Sequence, residues 1–71
     1  EVELDELRRR ALELVRSEFE DRTWRMFWET VVGERAAADV GAELGVSAAA
    51  VRMARSRVLR RLKEAFSDLI S

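Results

Sequence analysis

The sequence predicts an all-α fold: a small four-helix domain that takes up residues 1–71 as one unit. Three observations carry this expectation. Pro is absent and Gly occurs only three times, while Ala, Leu, Arg and Glu dominate, which is the composition of uninterrupted helices. Apolar residues recur at three- and four-residue steps rather than in alternation. Short polar or Gly-containing breaks then cut this pattern into four segments.

The first helix is expected over about Leu4 to Phe19. Leu4, Leu7, Ala11, Leu14, Val15 and Phe19 form its apolar face. Arg8, Arg9, Arg10 and Arg16 fall off that face. Glu6 and Glu13 are spaced to pair with Arg10 and Arg9, so the arginine run reads as a solvated surface rather than a nucleic-acid patch.

Glu20-Asp21-Arg22-Thr23 is a break, with Asp21 or Thr23 as the cap of the second helix. That helix carries Trp24, Phe27, Trp28, Val31 and Val32 on one stripe. In so small a domain the two Trp read as core rather than as a base-stacking platform. Gly33 is expected to close the helix in a left-handed cap.

The third helix is short, about Ala36 to Leu44, with Ala37, Val40, Ala42 and Leu44 as its apolar contacts. Asp39 sits near its N-terminus, where the helix dipole favours an acid. Gly45 supplies a positive φ for a tight turn. Val46 fills the space between the helices, and Ser47 caps the fourth helix through its hydroxyl. The fourth helix is expected from about Ala48 to Phe66, with Val51, Ala54, Val58, Leu59 and Leu62 buried. Phe66, Leu69 and Ile70 are left in a tail that packs back or frays. The third and fourth helices together read as a helix-turn-helix over about residues 36–64.

Composition excludes several function classes. With no Cys and no His, thiol nucleophiles, disulfides, most zinc sites and the usual general base are gone. There are no obviously paired carboxylates and no Gly-rich phosphate loop, so neither an enzyme, a cofactor nor a metal is expected. No apolar run approaches the roughly 20 residues that cross a bilayer, so no membrane partner is expected. No signal peptide is visible, and lack of Cys fits a reducing cytoplasm. The first residue is Glu rather than Met, so the chain is expected to be a piece of a longer protein.

Charge is the most telling feature. The net charge is only −1, but it is segregated. Glu1 to Glu34 holds ten acids against six Arg, whereas Ala48 to Lys63 holds Arg52, Arg55, Arg57, Arg60, Arg61 and Lys63 without one acid. A merely solvated helix mixes signs for i, i+4 pairing. A helix that enters a DNA major groove needs little bulk at its N-terminus and long donors a turn later. Ala48-Ala49-Ala50 meets the first need and Arg52 the second. Ala49, Arg52, Met53, Ser56 and Arg57 are therefore the candidate base-proximal residues. Ser47, Arg55, Arg60, Arg61 and Lys63 are the candidate phosphate contacts.

The segment Ala37-Ala38-Asp39-Val40-Gly41-Ala42-Glu43-Leu44-Gly45-Val46-Ser47, followed by Ala50-Val51-Arg52 and Ser56-Arg57, resembles domain 4 of bacterial sigma-70-type RNA polymerase sigma factors. The extracytoplasmic-function (ECF) group is the nearest. The resemblance covers nearly the whole chain and is most specific in the turn and the helix after it. It implies a cytoplasmic bacterial protein that reads the −35 element of double-stranded promoter DNA and holds the β flap of RNA polymerase core. It also implies an anti-sigma factor as a partner. Carried over by position, Arg52, Met53, Ser56 and Arg57 face bases or nearby phosphates. Ala54 stands where the family often has Arg, and Arg55 where it has an aliphatic residue. This turns the helix so that Ala54 faces in and Arg55 out. Trp24 and Trp28 are heavier than the family's residues there. Two other readings stay open: the helix-turn-helix output domain of another transcriptional regulator, and a helical protein-interaction module whose basic helix meets an acidic partner.

Overall fold

The computed structural model describes residues 3–70. Four helices follow in chain order, α1 (Leu4–Arg16), α2 (Asp21–Val31), α3 (Ala37–Leu44) and α4 (Ala48–Ile70), and the described residues contain no strand. α4 packs against each of the other three helices, and α2 also packs against α3. At 23 residues, α4 is about 34 Å long and forms the spine of the domain. It does not stop at Phe66 as expected but runs on as helix through the predicted tail. Phe66 lies against the core, and Leu69 and Ile70 remain exposed. No helix among the described residues is long and apolar enough to cross a membrane.

The core has two centres. Ala11 and Val15 of α1, Trp24 and Phe27 of α2, and Val58 and Ala65 of α4 form one, with Leu12, Phe19, Leu62 and Phe66 against it. Met26 of α2, Val40 of α3, and Val51 and Ala54 of α4 form the other, joined by Ala37, Leu44 and Val46. α2 therefore works as a wedge, serving one centre with Trp24 and Phe27 and the other with Met26.

This double duty corrects the expected stripe of α2. Trp28 is 42% exposed, and Val31 and Val32 are exposed as well, while Met26 and Thr30 are buried. The helix must bury a wide arc against both α3 and α4, so the inward face turns toward Met26 and Thr30. Thr30 enters without penalty because its hydroxyl donates to the Met26 carbonyl at 2.7 Å. Trp28 lies over Trp24 with ring centroids 6.2 Å apart, at the rim of an open cavity that Arg9, Leu12 and Arg16 of α1 also line.

α1 also differs from expectation. Leu7, Ala11 and Val15 are buried, but Leu4 and Leu14 are exposed, because α4 covers only one narrow stripe of α1. The helix ends at Arg16 rather than Phe19. The Ser17 hydroxyl donates to the Leu14 carbonyl at 2.7 Å, and the Glu18 N–H to that of Val15 at 3.0 Å. The tight turn swings Phe19 back onto the core. Arg9–Glu13 and Arg10–Glu6 pair at 3.2 Å each, as their spacing predicts.

Three turn assignments change. Neither Asp21 nor Thr23 caps α2: Glu20 takes the cap position with no side-chain bond, and Asp21 is already helical, placed to favour the positive end of the helix dipole. Gly33 is not left-handed, since the positive φ (54°) falls on Glu34. Gly33 is needed for closeness instead: a Cβ there would lie 2.6 Å from the Glu29 carbonyl oxygen. Ala42, expected as a core contact, is exposed, and its neighbour Gly41 is buried in its place.

Candidate nucleic-acid interface

The segment that positions the candidate face is the join between α3 and α4. Gly45 adopts φ 73°, as expected, and ends α3. The Val46 N–H donates to the Gly41 carbonyl at 2.9 Å, the six-to-one bond of a Schellman closure. The chain then passes directly over Gly41, where a Cβ would lie 2.6 Å from the Val46 carbonyl oxygen and 3.3 Å from that of Ser47. Gly41 thus sets how tightly α4 turns back on α3. Ser47 starts α4 as predicted, with its hydroxyl accepting the Ala50 N–H at 3.0 Å. A hydroxyl also has a proton to give, so capping leaves Ser47 able to donate outward.

α2 braces this join. Arg22 donates to the Leu44 carbonyl at the C-terminal end of α3, where the dipole favours a cation. Arg25 pairs with Glu29 at 3.9 Å and Glu43 at 3.5 Å, and Arg35 with Glu29 at 3.2 Å and again with Glu43. The Arg35 guanidinium holds the Glu43 carboxyl below its usual range, and Arg35 is raised in turn by Glu43 and then Glu29. Arg25, Glu29, Arg35 and Glu43 therefore form a closed ring of charges between α2 and α3. These pairs are solvent-facing and weak one by one; together they orient α3.

With α1, α2 and α3 all on one side of α4, its other side is bare. Val51, Ala54 and Val58 face inward. Leu59, expected to be buried, is exposed at the edge of the α1 contact, and Ala65 takes the inward place further along. Ala54 is buried and Arg55 only half-buried on the flank, the rotation expected from the sequence. Ala49, Arg52, Met53, Ser56, Arg57, Arg60 and Lys63 are all exposed. Arg52, Met53, Ser56, Arg57 and Arg60 line one shallow concavity on the outward face. Four of the five base-proximal candidates thus come together, with Ala49 at the start of the same helix. Its short side chain leaves the first turn uncovered.

Cation partners separate this face from the rest of the surface. Arg8, Arg9 and Arg10 pair with acids within α1. Arg16 lies over the Trp24 ring at 5.7 Å. Arg22, Arg25 and Arg35 are held in the brace between α2 and α3. All seven arginines before α4 are therefore engaged. Among the described residues, Arg52, Arg55, Arg57, Arg60 and Lys63 have no ion-pair partner.

Arg61, expected among the phosphate contacts, is the exception on α4 because it is already paired. Its Nε and one terminal nitrogen meet the two carboxylate oxygens of Glu18 at 2.6 and 2.9 Å. Glu64 adds a contact at 3.8 Å. The hydrogen bonds that Arg61 donates to Glu18 raise its pKa further. The residue is half-buried and ties the middle of α4 to the turn after α1. Nothing local in the sequence marks this pair, whose members are 43 positions apart.

Comparison with protein-family models, curated proteins and solved structures finds no significant match.

Proposed function

We propose that this domain binds double-stranded DNA through the outward face of α4, as the −35-reading domain of an ECF-type sigma factor in the bacterial cytoplasm. The carrying observation is the set of five unpartnered cations on one helix in a chain whose other arginines are engaged. Unpaired guanidinium and ammonium groups are free to replace the counterions of a phosphate backbone. α3, the Gly45–Ser47 turn and α4 act as the helix-turn-helix. Arg52 makes the bidentate contact to a guanine edge. Met53 and Ser56 lie beside it at the bases, Arg57 reaches the phosphate next to them, and Arg55, Arg60, Lys63 and the Ser47 hydroxyl take further phosphates. The partners that follow from the sigma resemblance are the β flap of RNA polymerase core and an anti-sigma factor.

The test is selection of bound sequences from a random duplex library at low salt, followed by the same selection with Arg52→Ala. A recovered motif that loses one base preference in the variant supports the reading. A folded domain that enriches no sequence overturns it. A second reading, a helical protein-interaction module, is favoured by the apolar groove that Ala11, Leu12, Leu59, Leu62 and Phe66 form between α1 and α4, with Arg8 and Lys63 at its edge.

A further inference from the structure

Building on the proposal that α4 enters a major groove, we infer that Met53 reads the 5-methyl group of a pyrimidine. The domain then distinguishes thymine or 5-methylcytosine from an unmethylated pyrimidine at one position of its site.

The two methionines of the chain are placed in opposite ways. Met26 is buried between α2, α3 and α4. Met53 is 66% exposed, more than any other large hydrophobic residue among those described. Most of the others sit near helix ends or along edges where helices meet, such as Leu4, Val32, Leu59 and Ile70. Met53 instead stands among Arg52, Ser56, Arg57 and Arg60, inside the concavity that these residues line. It is the one apolar side chain lining that concavity, and a solvated cationic surface has no use for one.

Its immediate surroundings leave the tip open. Side chains three and four residues away share a helix face. For Met53 these are Ala49 and Ala50 toward the N-terminus and Ser56 and Arg57 toward the C-terminus. Three of the four are short, so the long Met side chain projects past them. The major-groove edge of DNA offers one apolar group, the methyl at C5 of thymine, and the remaining base-edge atoms are donors or acceptors. 5-Methylcytosine presents the same methyl at the same place. A flexible, polarizable thioether adapts to such a contact without an exact fit. Burying one methyl corresponds to about a fourfold change in affinity.

The experiment uses this chain and the duplex that selection recovers, with binding read by fluorescence anisotropy at fixed low salt. Each thymine is replaced in turn by deoxyuridine, which deletes only the methyl, and each cytosine by 5-methylcytosine, which only adds it. At one position the wild-type chain is expected to lose about fourfold on demethylation of thymine, or to gain about as much on methylation of cytosine. Met53→Ala is expected to bind the unmodified duplex more weakly and to show no response to the methyl at that position. Its circular dichroism should be unchanged, since the side chain is outside the core. Duplex binding that responds to no single methyl overturns the inference while leaving the DNA reading standing. A methyl response that persists in Met53→Ala overturns it in the same way. Failure to bind any duplex removes both.

Discussion

Arg60 and Arg61 are neighbours in sequence with opposite circumstances, and their replacement by Ala tests the interface directly. Arg60 is exposed and unpaired on the outward face; Arg61 is clamped by Glu18 through two hydrogen bonds. If Arg52 is spent on a base, Arg55, Arg57, Arg60 and Lys63 remain for phosphates. Four phosphate contacts give a slope of log K against log salt of about −3.6, or about a 150-fold loss of affinity between 50 and 200 mM salt. Arg60→Ala should flatten the slope to about −2.7, or about a 40-fold loss over the same range. Arg61→Ala removes the same formal charge but should leave the slope close to that of the wild type, because Glu18 already occupies the guanidinium. Its effect should appear in thermal unfolding instead, as the tie between α4 and the turn after α1 is lost. Fluorescence anisotropy titrations at four or more salt concentrations read the slopes, and circular dichroism melts read the stability. Equal flattening by both variants would refute the claim that pairing withholds Arg61. A wild-type slope no steeper than about −1 would refute the phosphate-facing assignment of α4 altogether.

Gly41→Ala sets two effects against each other. Ala gains about 1 kcal/mol of helix propensity over Gly, but a Cβ 2.6 Å from the Val46 carbonyl oxygen meets backbone that cannot easily yield, an overpacking penalty of about 2–3 kcal/mol. Urea unfolding should show a net destabilisation of about 1–2 kcal/mol, and a stabilised variant would mean the join between α3 and α4 is looser than described. Trp24→Ala should lose about 3–5 kcal/mol, whereas Trp28→Ala, at a site 42% exposed, should lose roughly half of that because no closed cavity is left behind; equal losses would put Trp28 in the core after all. The Glu43 carboxyl is held below its unfolded value by Arg35, so its contribution is present above the ordinary Glu pKa of about 4.3 and is lost as pH falls through the lower folded value. Glu43→Gln should therefore show a shallower decline of stability on acidification below about pH 4 than the wild type, and parallel acid limbs in the two proteins would discount the charge ring between α2 and α3.

Much of the fold was legible in the sequence because its causes are local. The i, i+4 pairs of α1, the left-handed Gly45, the Ser47 cap and the inward line Val51–Ala54–Val58 each depend on residues within about a turn of one another. So does the run of α4 without acids from Ala48 to Lys63. The inward arc of α2 was not legible, since that depends on which helices lie across it. With α3 on one side and α4 on the other, Met26 and Thr30 go in and Trp28 comes out.

The sequence by itself determined that the described residues form four helical segments, that α3 turns into α4 at Gly45–Ser47, and that α4 concentrates cations; the ends of α1 and α4 lie elsewhere than the sequence placed them. Helical periodicity, turn chemistry and charge spacing act over a few residues, so a linear reading captures them. Only the tertiary structure decided which of those cations are available. Arg61 belongs to the same run as Arg60, but a carboxylate 43 residues away reaches it. The arginines of α1 and α2 likewise have their partners. Whether a charge is free depends on what the folded chain brings beside it, and that proximity is set by packing across the core.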